Sequence, residues 1–414
     1  MDAASIVTLA AIRDAARRLQ GRVWASPCAE TAQLSELTGA RLWLKLENLQ
    51  MTGSFKERGA CNALLLLSAE ERARGVITAS AGNHAQALAL HGSRLGLAVT
   101  VVMRETTPLV KMESTRRFGA EVVLHGKSYD EAAEHAAGLA RERGLVYVHP
   151  FDQPSVIAGQ GTLGLEILEQ CPEVEAVVVP VGGGGLLAGI ACAIKETRPD
   201  VRVYGVESSA FPGMQQAFES DAPPSLRGGK TIADGIAVRR VGRYTVPLVR
   251  RYADGIVLVD EEEIAEAVLL LLEKEKTVAE GAGAVGLAAL IHDRLELEGK
   301  RVVVVLSGGN IDVSLMARII ERGLVKTGRL ARLNVTAPDV AGTLAELAGL
   351  VASERANVLE INHDRAFSGA ELGETLIELV LETHGFEHIE RVERKLLDAG
   401  YPVERATPNG RSRS

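Results

Sequence analysis

The stretch Ser54-Phe55-Lys56-Glu57-Arg58-Gly59-Ala60 follows the turn-forming pair Thr52-Gly53, so that a single lysine stands where an amphipathic helix is predicted to begin. The positive end of the helix macrodipole disfavours protonation of such a lysine, and a neutral amine can attack an aldehyde. A solvated surface charge is the alternative and the commoner role of a lysine at a helix start. Lys56 is therefore a candidate nucleophile whose assignment depends on the motifs around it.

The composition favours an α/β protein of more than one domain. The chain has 414 residues, more than one ordinary hydrophobic core holds, so two or three domains are expected. Hydrophobic residues make up 46% of the sequence and aromatic residues only 4%. The core must then consist mainly of Ala, Val, Leu and Ile, which is typical of buried parallel strands covered by helices.

Charge and targeting signals argue against several classes of partner. A net charge of −8, without a long Lys/Arg run, argues against nucleic acid. The N-terminal residues have a helical pattern with arginines rather than the pattern of a signal peptide, so we expect a cytoplasmic protein. The uncharged stretch Ala176 to Ile194 has the length of a membrane span, but Pro180 and four consecutive glycines predict a strand, a loop and a helix instead.

The cysteines predict neither a zinc site nor a disulfide. Cys28, Cys61, Cys171 and Cys192 are far apart and fit no metal-ligand or disulfide spacing. We expect buried thiols in a reducing compartment.

Short apolar runs alternate with helical patterns from about residue 40 onward, as in a parallel sheet system. The predicted strands are Arg41 to Leu46, Gly75 to Ala79, Ala98 to Met103, Glu121 to Leu124, Ala176 to Val181, Val201 to Val206 and Arg301 to Leu306. Helices such as Tyr129 to Arg143 and Glu261 to Lys276 separate them. Ligands bind at the carboxyl ends of such strands, where glycine-rich loops follow in this sequence.

A different pattern begins near Arg329 and predicts a βαββαβ unit. Its predicted strands are Leu330 to Thr336, Val358 to Asn362, Thr375 to Glu382 and a last one near Tyr401 to Arg405, with helices after Asp339 and from Phe386 to Ala399. His363, His384 and His388 are interpreted as surface residues. The polar tail Thr407 to Ser414 is predicted to be disordered.

The motif Ser80-Ala81-Gly82-Asn83-His84-Ala85-Gln86 lies between a predicted strand and the predicted helix Ala85 to Leu95. Its backbone N–H groups and the side chains of Ser80 and Asn83 gather at a helix N-terminus, where an anion such as a carboxylate is held. Ser and Asn next to Gly are also common helix caps, so a purely structural role is the alternative.

Pro180-Val181-Gly182-Gly183-Gly184-Gly185-Leu186-Leu187-Ala188-Gly189 joins a β-branched strand to an apolar helix. Four successive glycines let backbone N–H groups wrap a phosphate. The spacing of Gly183, Gly185 and Ala188 also fits dinucleotide binding. Glu207 ends the next strand, where a ribose-binding acid is expected. The loop alone leaves both interpretations open, but a nicotinamide enzyme gives no reason for a lysine at a helix start.

Leu306-Ser307-Gly308-Gly309-Asn310 follows four valines and places one hydroxyl at the carboxyl end of a central strand. Its glycines let a flat ring approach, and Ser307 can hydrogen-bond a ring nitrogen; an ordinary turn is the alternative. Glu280 lies in the apolar, glycine-rich stretch Ala279-Glu280-Gly281-Ala282-Gly283, where a charge is unexpected. We interpret it as lining the site.

Six motifs in this order resemble the fold-type II pyridoxal-phosphate enzymes, specifically the threonine/serine dehydratases. They are SFKERGA, SAGNHAQ, GGGGLLAG, TIADG, EGAGAVG and SGGNID, and the resemblance covers about residues 5–325. It implies a catalytic region at 1–325 of two open parallel-sheet α/β lobes, the smaller, at about 50–150, inserted in the larger. The unit at 330–406 resembles an ACT domain, a regulatory amino-acid-binding module, although Ala341 stands where that family usually has Pro.

The resemblance implies pyridoxal 5′-phosphate as cofactor and a role for each matching residue. The implied catalytic residues are Lys56, which joins the cofactor aldehyde and then removes the Cα proton, and Ser307, which faces the pyridine nitrogen. The implied cofactor-binding residues are Phe55, Lys56, Asn83, Gly182, Gly183, Gly184, Gly185, Leu186, Gly235, Glu280 and Ser307. The implied substrate-binding residues are Ser80, Ala81, Gly82, Asn83 and His84.

The implied reaction is β-elimination of L-threonine to 2-oxobutanoate and ammonia, with L-serine as a second substrate. A neutral serine at the ring nitrogen gives a weaker electron sink than an aspartate, which favours elimination over transamination. Serine racemases share most motifs but carry a second serine, as an acid/base, where this chain has Ala81. A threo-3-hydroxyaspartate dehydratase stays open, because substrate side-chain contacts are spread over loops.

Further expectations concern other ligands and partners. From the resemblance we expect an amino-acid effector at the ACT domain and a homodimer or homotetramer. Glu207 is the candidate ligand of a monovalent cation, because the divalent site of the racemases needs another acid where this chain has Gly213. A catalytically inactive amino-acid sensor is the alternative of another class, and intact Lys56, Asn83 and Ser307 argue against it.

Overall fold

The computed structural model describes residues 6–220, 229–364 and 371–406. The chain divides into two compact units, Met1–Asp312 and Val313–Ser414. The boundary expected from the sequence, between residues 325 and 330, differs from this division by one helix, Val313–Lys326. The domain assignment stays a prediction, and the tail expected to be disordered lies outside the described residues.

The first unit contains two sheets whose strands are separated by helices. Its strands are β1 (Cys28–Thr31), β2 (Arg41–Leu46), β3 (Val76–Ala79), β4 (Val99–Met103), β5 (Glu121–Leu124), β6 (Val146–Tyr147), β7 (Ala176–Pro180), β8 (Arg202–Ser208), β9 (Gly255–Val259) and β10 (Arg301–Leu306). Its helices are α1 (Leu9–Leu19), α2 (Ala32–Thr38), α3 (Lys56–Leu65), α4 (Ala69–Arg74), α5 (Asn83–Arg94), α6 (Leu109–Arg117), α7 (Tyr129–Arg143), α8 (Pro154–Gln170), α9 (Gly185–Lys195), α10 (Gly213–Glu219), α11 (Thr245–Tyr252), α12 (Glu261–Glu275) and α13 (Gly281–Ile291).

The larger sheet has the order β1-β2-β10-β7-β8-β9. All its pairs are parallel except the edge pair of β1 and β2. β10, with the sequence Arg-Val-Val-Val-Val-Leu, has five fully buried residues after its first position, as expected for a central strand covered by helices on both faces. The smaller sheet, β5-β4-β3-β6, is wholly parallel and comes from the segment between β2 and β7.

These sheets confirm the predicted α/β class with two lobes, each built on a parallel sheet. Each of the seven predicted strands is present, with ends that differ by at most two residues. Three strands were missed. β6 has two residues and β1 has the mixed sequence Cys-Ala-Glu-Thr, so neither gives a periodic signal, whereas β9, Gly-Ile-Val-Leu-Val, is an apolar run that the sequence could have revealed.

The stretch Ala176 to Ile194 forms β7, a glycine loop and most of α9, as the sequence predicted. No helix in the described part of the chain is long and apolar enough to cross a membrane. The cysteines are free: Cys61, Cys171 and Cys192 are buried, and Cys28 is half-buried.

The second unit begins with α14 (Val313–Lys326) and continues as the predicted βαββαβ fold. Its other elements are β11 (Leu330–Pro338), α15 (Thr343–Ser353), β12 (Asn357–Asp364), β13 (Glu374–Glu382), α16 (Phe386–Asp398) and β14 (Val403–Arg405). The antiparallel sheet has the order β12-β13-β11-β14, and alternate residues of β11 and β13 are buried against the helices. The ACT-like fold predicted for this region is confirmed.

One histidine of this unit differs from its prediction. His388 is buried, with 3% of its surface exposed, rather than lying at the surface. Its Nδ1 accepts from the His384 backbone N–H at 3.0 Å, and its Nε2 is 2.8 Å from the Glu354 carbonyl oxygen. The side chain therefore closes the loop before α16, a role that charge and periodicity do not reveal.

A buried ion network lies at the start of α3. The guanidinium of Arg58, 1% exposed, donates to both carboxylate oxygens of Glu47 at 2.8 Å and to those of Glu166 at 2.6 and 2.8 Å. The ammonium of buried Lys45 donates to Glu166 Oε2 at 2.7 Å. Burial opposes ionisation of Glu47, but the nearby guanidinium holds its pKa below the usual value. The network ties α3 to β2 and α8.

Replacing Arg58 by Met should lower the free energy of unfolding by about 3–5 kcal/mol, because buried Glu47 would lose the guanidinium that is bonded to both of its oxygens, and Glu166 would keep only Lys45. Arg41, whose exposed guanidinium donates to Glu30 Oε1 at 2.7 Å, provides the matched control. Arg41→Met should cost at most about 1 kcal/mol. Urea denaturation of both variants tests this, and equal losses of stability would contradict it.

Candidate active site

The loop before α3 is held against the end of β10. Ser54 forms an isolated β-bridge with Gly308, and the Phe55 backbone N–H donates to the Ser307 carbonyl oxygen at 3.0 Å. Lys56 is the first residue of α3. Two motifs about 250 residues apart in the sequence, those of Lys56 and Ser307, therefore meet through backbone contacts.

Lys56 is half-buried, and desolvation is the largest influence on its amine. Its Nζ donates to the Pro150 carbonyl oxygen at 3.0 Å and lies 5.0 Å from the centre of the Phe55 ring. Burial lowers the pKa of Lys56 to about 8, although the Glu280 carboxylate acts in the opposite direction. The lowered pKa of Lys56 agrees with the sequence analysis, but its main cause is burial rather than the helix macrodipole.

The motif at residues 80–86 forms the start of α5, which begins at Asn83, two residues earlier than predicted. Its N-cap is Gly82, which has no side chain to satisfy the first N–H groups of the helix. Ser80, Ala81, Gly82 and Asn83 are half-buried. The uncapped N–H groups at this helix N-terminus suit an anion such as a carboxylate.

His84 has a different environment from the rest of that motif. Its Nε2 is 3.3 Å from the Val148 carbonyl oxygen and so carries the proton, since a carbonyl only accepts. Burial, reinforced by the charge of Lys56, lowers the pKa of His84 to about 3, so the imidazole stays neutral. Its buried Nδ1 has no hydrogen-bond partner among the described residues.

Asn83, Glu280 and Asn310 form a hydrogen-bonded chain beside Gly308. Asn83 Nδ2 donates to Glu280 Oε1 at 2.8 Å, and Asn310 Nδ2 donates to Asn83 Oδ1 at 2.8 Å. Glu280 is 5% exposed; burial, with a contribution from Asp234, raises its pKa to about 7. The predicted site residues Asn83 and Glu280 are thus in direct contact.

The glycine loop packs so closely that side chains would not fit. Gly184 has φ +90°, and a Cβ on Gly183 would lie 2.3 Å from the Phe151 ring. A Cβ on Gly182 would lie 2.9 Å from Ile236 Cα. α9 begins at Gly185, so its first N–H groups open into this loop without a side-chain cap, as a phosphate site requires.

Ser307 and Gly235 approach the same region from two sides. Ser307 is 2% exposed, and its hydroxyl makes a long contact of 3.5 Å to the Ala282 carbonyl oxygen. A Cβ on Gly235 would lie 3.3 Å from Glu280 Oε1 and 3.1 Å from Ala282 Cβ. Ser307 and Gly235 therefore both lie beside Ala282, two residues after Glu280.

Glu207 is buried at the end of β8, and its carboxylate accepts from the backbone N–H groups of Met214 and Gln215 at 2.9 and 2.8 Å. Burial raises its pKa to about 8. No group of three or more His, Cys, Asp or Glu residues that could hold a metal occurs in the described segments. The cation assignment stays a prediction.

Several residues that shape the site were missed by the sequence analysis. His149 Nδ1 accepts from the Asp152 backbone N–H at 2.9 Å and so fixes the loop that carries Phe151. Thr245 donates its hydroxyl to the Gly183 carbonyl oxygen at 2.7 Å. The contact of Thr245 with Gly183 joins segments 62 residues apart, and the contact of His149 lies within a loop without a recognisable motif.

The rate at which Lys56 is acylated should rise with pH through a midpoint near 8, because only the neutral amine reacts and burial lowers its pKa. Competitive acetylation of the cofactor-free protein, followed by peptide mass spectrometry, measures this. Exposed Lys274 serves as the internal reference for reagent reactivity. A midpoint near 10.5 for Lys56 would contradict the assignment.

Comparisons with known proteins agree with this geometry. A family model described as "Pyridoxal-phosphate dependent enzyme" matches residues 19–308. An L-threonine ammonia-lyase from Thermotoga maritima is 49% identical over 398 residues, which cover 96% of this chain and 99% of that protein.

Solved structures resemble the chain over three quarters of its length. The processed form of threonine deaminase isoform 2 from Solanum lycopersicum is 39% identical, with a TM-score of 0.72 over 75% of this chain and 87% of that one. A maize serine racemase is 31% identical, with a TM-score of 0.73 over 77% of this chain and 98% of that one. The resemblance inferred from six motifs is confirmed: the chain belongs to the pyridoxal-phosphate dependent enzymes.

Proposed function

We propose that the protein is a threonine ammonia-lyase, which converts L-threonine to 2-oxobutanoate and ammonia and also acts on L-serine. The observation that carries the proposal is the desolvated Lys56 amine held beside the Ser307 loop and the Asn83–Glu280 pair. Alignment of 96% of the chain with a relative named L-threonine ammonia-lyase supports it.

The residues present fit pyridoxal phosphate. Gly182, Gly183 and Gly184 form a cradle that a Cβ would fill, and its N–H groups suit the phosphate. Ser54 Oγ and His84 Nδ1 are buried near the lysine without partners among the described residues, so polar atoms remain for a ligand. Bound there, the cofactor supplies the electron sink for chemistry at Cα.

The roles of the individual residues are part of the proposal. Lys56 would bind the cofactor aldehyde, the loop from Gly182 to Leu186 would hold the phosphate, and Asn83 would donate to the ring hydroxyl. Ser307 would contact the ring nitrogen. Phe55, Gly235 and Glu280 would line the ring. The hydrogen bonds and close packing described above support these positions.

The chain's own groups then perform the proton transfers. The Ser80–His84 loop binds the substrate carboxylate with N–H groups at the start of α5. Lys56, whose pKa is about 8, is neutral often enough near physiological pH to take the Cα proton. The neutral Ser307 hydroxyl would give the ring nitrogen no fixed counter-charge, which would favour loss of the β-hydroxyl over transamination.

Racemisation and dehydration of hydroxyaspartate are the alternatives. Ala81 supplies no hydroxyl for proton transfer from the opposite face, which argues against a racemase. A hydroxyaspartate dehydratase would need a cation for the second substrate carboxylate. The likeness to a maize serine racemase makes serine a necessary comparison substrate.

The second unit supports an amino-acid effector as part of the proposal. A pocket of about 480 Å³ lies at the turn between β11 and α15. It is lined by Pro338, Asp339, Val340, Ala341, Gly342, Thr343, Leu344, His363, Thr375 and Ile377. The homodimer or homotetramer remains a prediction, as does the monovalent cation at Glu207.

The purified protein with pyridoxal phosphate should release 2-oxobutanoate from L-threonine and, more slowly, pyruvate from L-serine. Lys56→Ala should lower kcat at least about a hundredfold, because the base is lost. Lys274→Ala, at an exposed position on α12, should change kcat less than about twofold. Coupled assays of keto-acid release measure both.

Two outcomes would overturn parts of the proposal. Turnover of threo-3-hydroxyaspartate but not of L-threonine would leave the cofactor assignment intact and contradict the assignment of L-threonine as the substrate. Near-normal turnover by Lys56→Ala would contradict the mechanism.

Gly183→Ala should weaken pyridoxal-phosphate binding at least about tenfold, because the new Cβ would lie 2.3 Å from the Phe151 ring and displace the loop. Gly138→Ala is the matched control, since its Cβ meets nothing within 4 Å in α7. That change should leave the affinity unaltered and stabilise the helix by about 0.5–1 kcal/mol. Absorbance titration of cofactor-free protein distinguishes the two, and unchanged affinity in Gly183→Ala would contradict the phosphate site.

A further inference from the structure

Two amide side chains connect the backbone of the Lys56 loop to the residues around Glu280. Asn310 Nδ2 donates to the Thr52 carbonyl oxygen at 2.7 Å and to Asn83 Oδ1 at 2.8 Å. Asn83 Nδ2 donates in turn to Glu280 Oε1 at 2.8 Å. The chain starts at a backbone carbonyl and ends at a carboxyl group.

The Thr52 carbonyl oxygen, at the start of this chain, determines how both amide side chains are oriented. A carbonyl oxygen only accepts, so the nitrogen end of the Asn310 amide must face Thr52. Both hydrogens of that nitrogen are then used, one on Thr52 and one on Asn83. Asn83 must therefore present its oxygen to Asn310 and its nitrogen to the site. The second hydrogen of Asn83 Nδ2 remains for an acceptor there.

Reversing the Asn83 amide would break its hydrogen bonds to both Asn310 and Glu280. Its nitrogen would face the nitrogen of Asn310, donor against donor. Its oxygen would face Glu280 Oε1, which accepts when the carboxyl is ionised. Without Asn310, only the hydrogen bond to Glu280 would set the orientation of the Asn83 amide. That bond would change whenever the Glu280 carboxyl gains or loses its proton.

Close backbone packing keeps the two amides in place. Gly53 has φ +73°, and a Cβ there would lie 2.6 Å from Asn310 Oδ1. A Cβ on Gly308 would lie 2.5 Å from Glu280 Oε1 and 3.2 Å from Asn83 Nδ2. The glycines of both motifs thus let the backbone press directly on the hydrogen-bonded chain.

We propose that Asn310 is a positioning residue, which holds the Asn83 amide with its nitrogen toward the ring hydroxyl of pyridoxal phosphate. It acts through Asn83 and does not touch the cofactor itself. The inference rests on the proposed function in one respect, the placement of the cofactor against Asn83.

A double-mutant cycle on cofactor affinity tests the proposal. Asn310→Ala should weaken pyridoxal-phosphate binding by about 5- to 30-fold, the effect of one buried hydrogen bond. In an Asn83→Ala background, the same change should weaken binding less than about twofold, because the residue through which Asn310 acts is gone. The absorption maximum of the bound cofactor should shift in the same direction in both single variants.

Two further variants keep the test decisive. Asn310→Asp has the same shape but donates to neither Thr52 nor Asn83, so it should lose at least as much affinity as the alanine variant. Asn48→Ala is the matched control, because Asn48 Nδ2 also donates to a backbone carbonyl, that of Val278 at 3.0 Å, but not to Asn83. It should change affinity less than about twofold.

Additive losses in the cycle would overturn the proposal, since they would show that Asn310 acts independently of Asn83. Unchanged affinity in Asn310→Asp would also overturn it. Absence of threonine turnover with normal cofactor binding would contradict the proposed function while leaving the cycle interpretable.

Discussion

The buried ion pairs of Arg58 determine where α3 lies, and the position of Lys56 depends on them. Arg58 lies two residues after Lys56 on that helix and joins it to Glu47, the residue that follows β2, and to Glu166, on α8. A buried guanidinium is costly to desolvate, and it is stable only when its carboxylate partners are held within hydrogen-bonding distance. The lysine is therefore held by a network whose members are all outside the candidate site.

Burial also sets the electrostatics of the site itself. It lowers the pKa of Lys56 to about 8 and raises that of Glu280 to about 7, so an amine and a carboxyl group both titrate near neutrality. A general acid or base is most effective when its pKa lies near the operating pH. The neutral His84 adds no charge to the loop assigned to the substrate carboxylate. Desolvation by the fold thus prepares the site for proton transfer.

Local sequence predicted the elements far better than the contacts between them. The valine run of β10 and the glycine loop before α9 carry their structure in adjacent residues, so periodicity and φ requirements suffice. Phe151 and Asn310 act through partners 32 and more than 200 residues away, which no local pattern specifies. The low pKa of Lys56 was expected in direction, but its cause, burial, depends on the folded lobes. His388 was misjudged for the same reason.

The strand order of the large sheet has a consequence for synthesis of the chain on the ribosome. β10 lies between β2 and β7, although it is the last strand of its unit to be translated. Until about residue 306 has emerged, β2 and β7 have no shared neighbour, and each has an unpaired apolar edge. The nascent chain must carry the edge of β2 through more than half of its translation and the edge of β7 from about residue 180 onward, and the Lys56 loop meets the Ser307 loop only after β10 has been made.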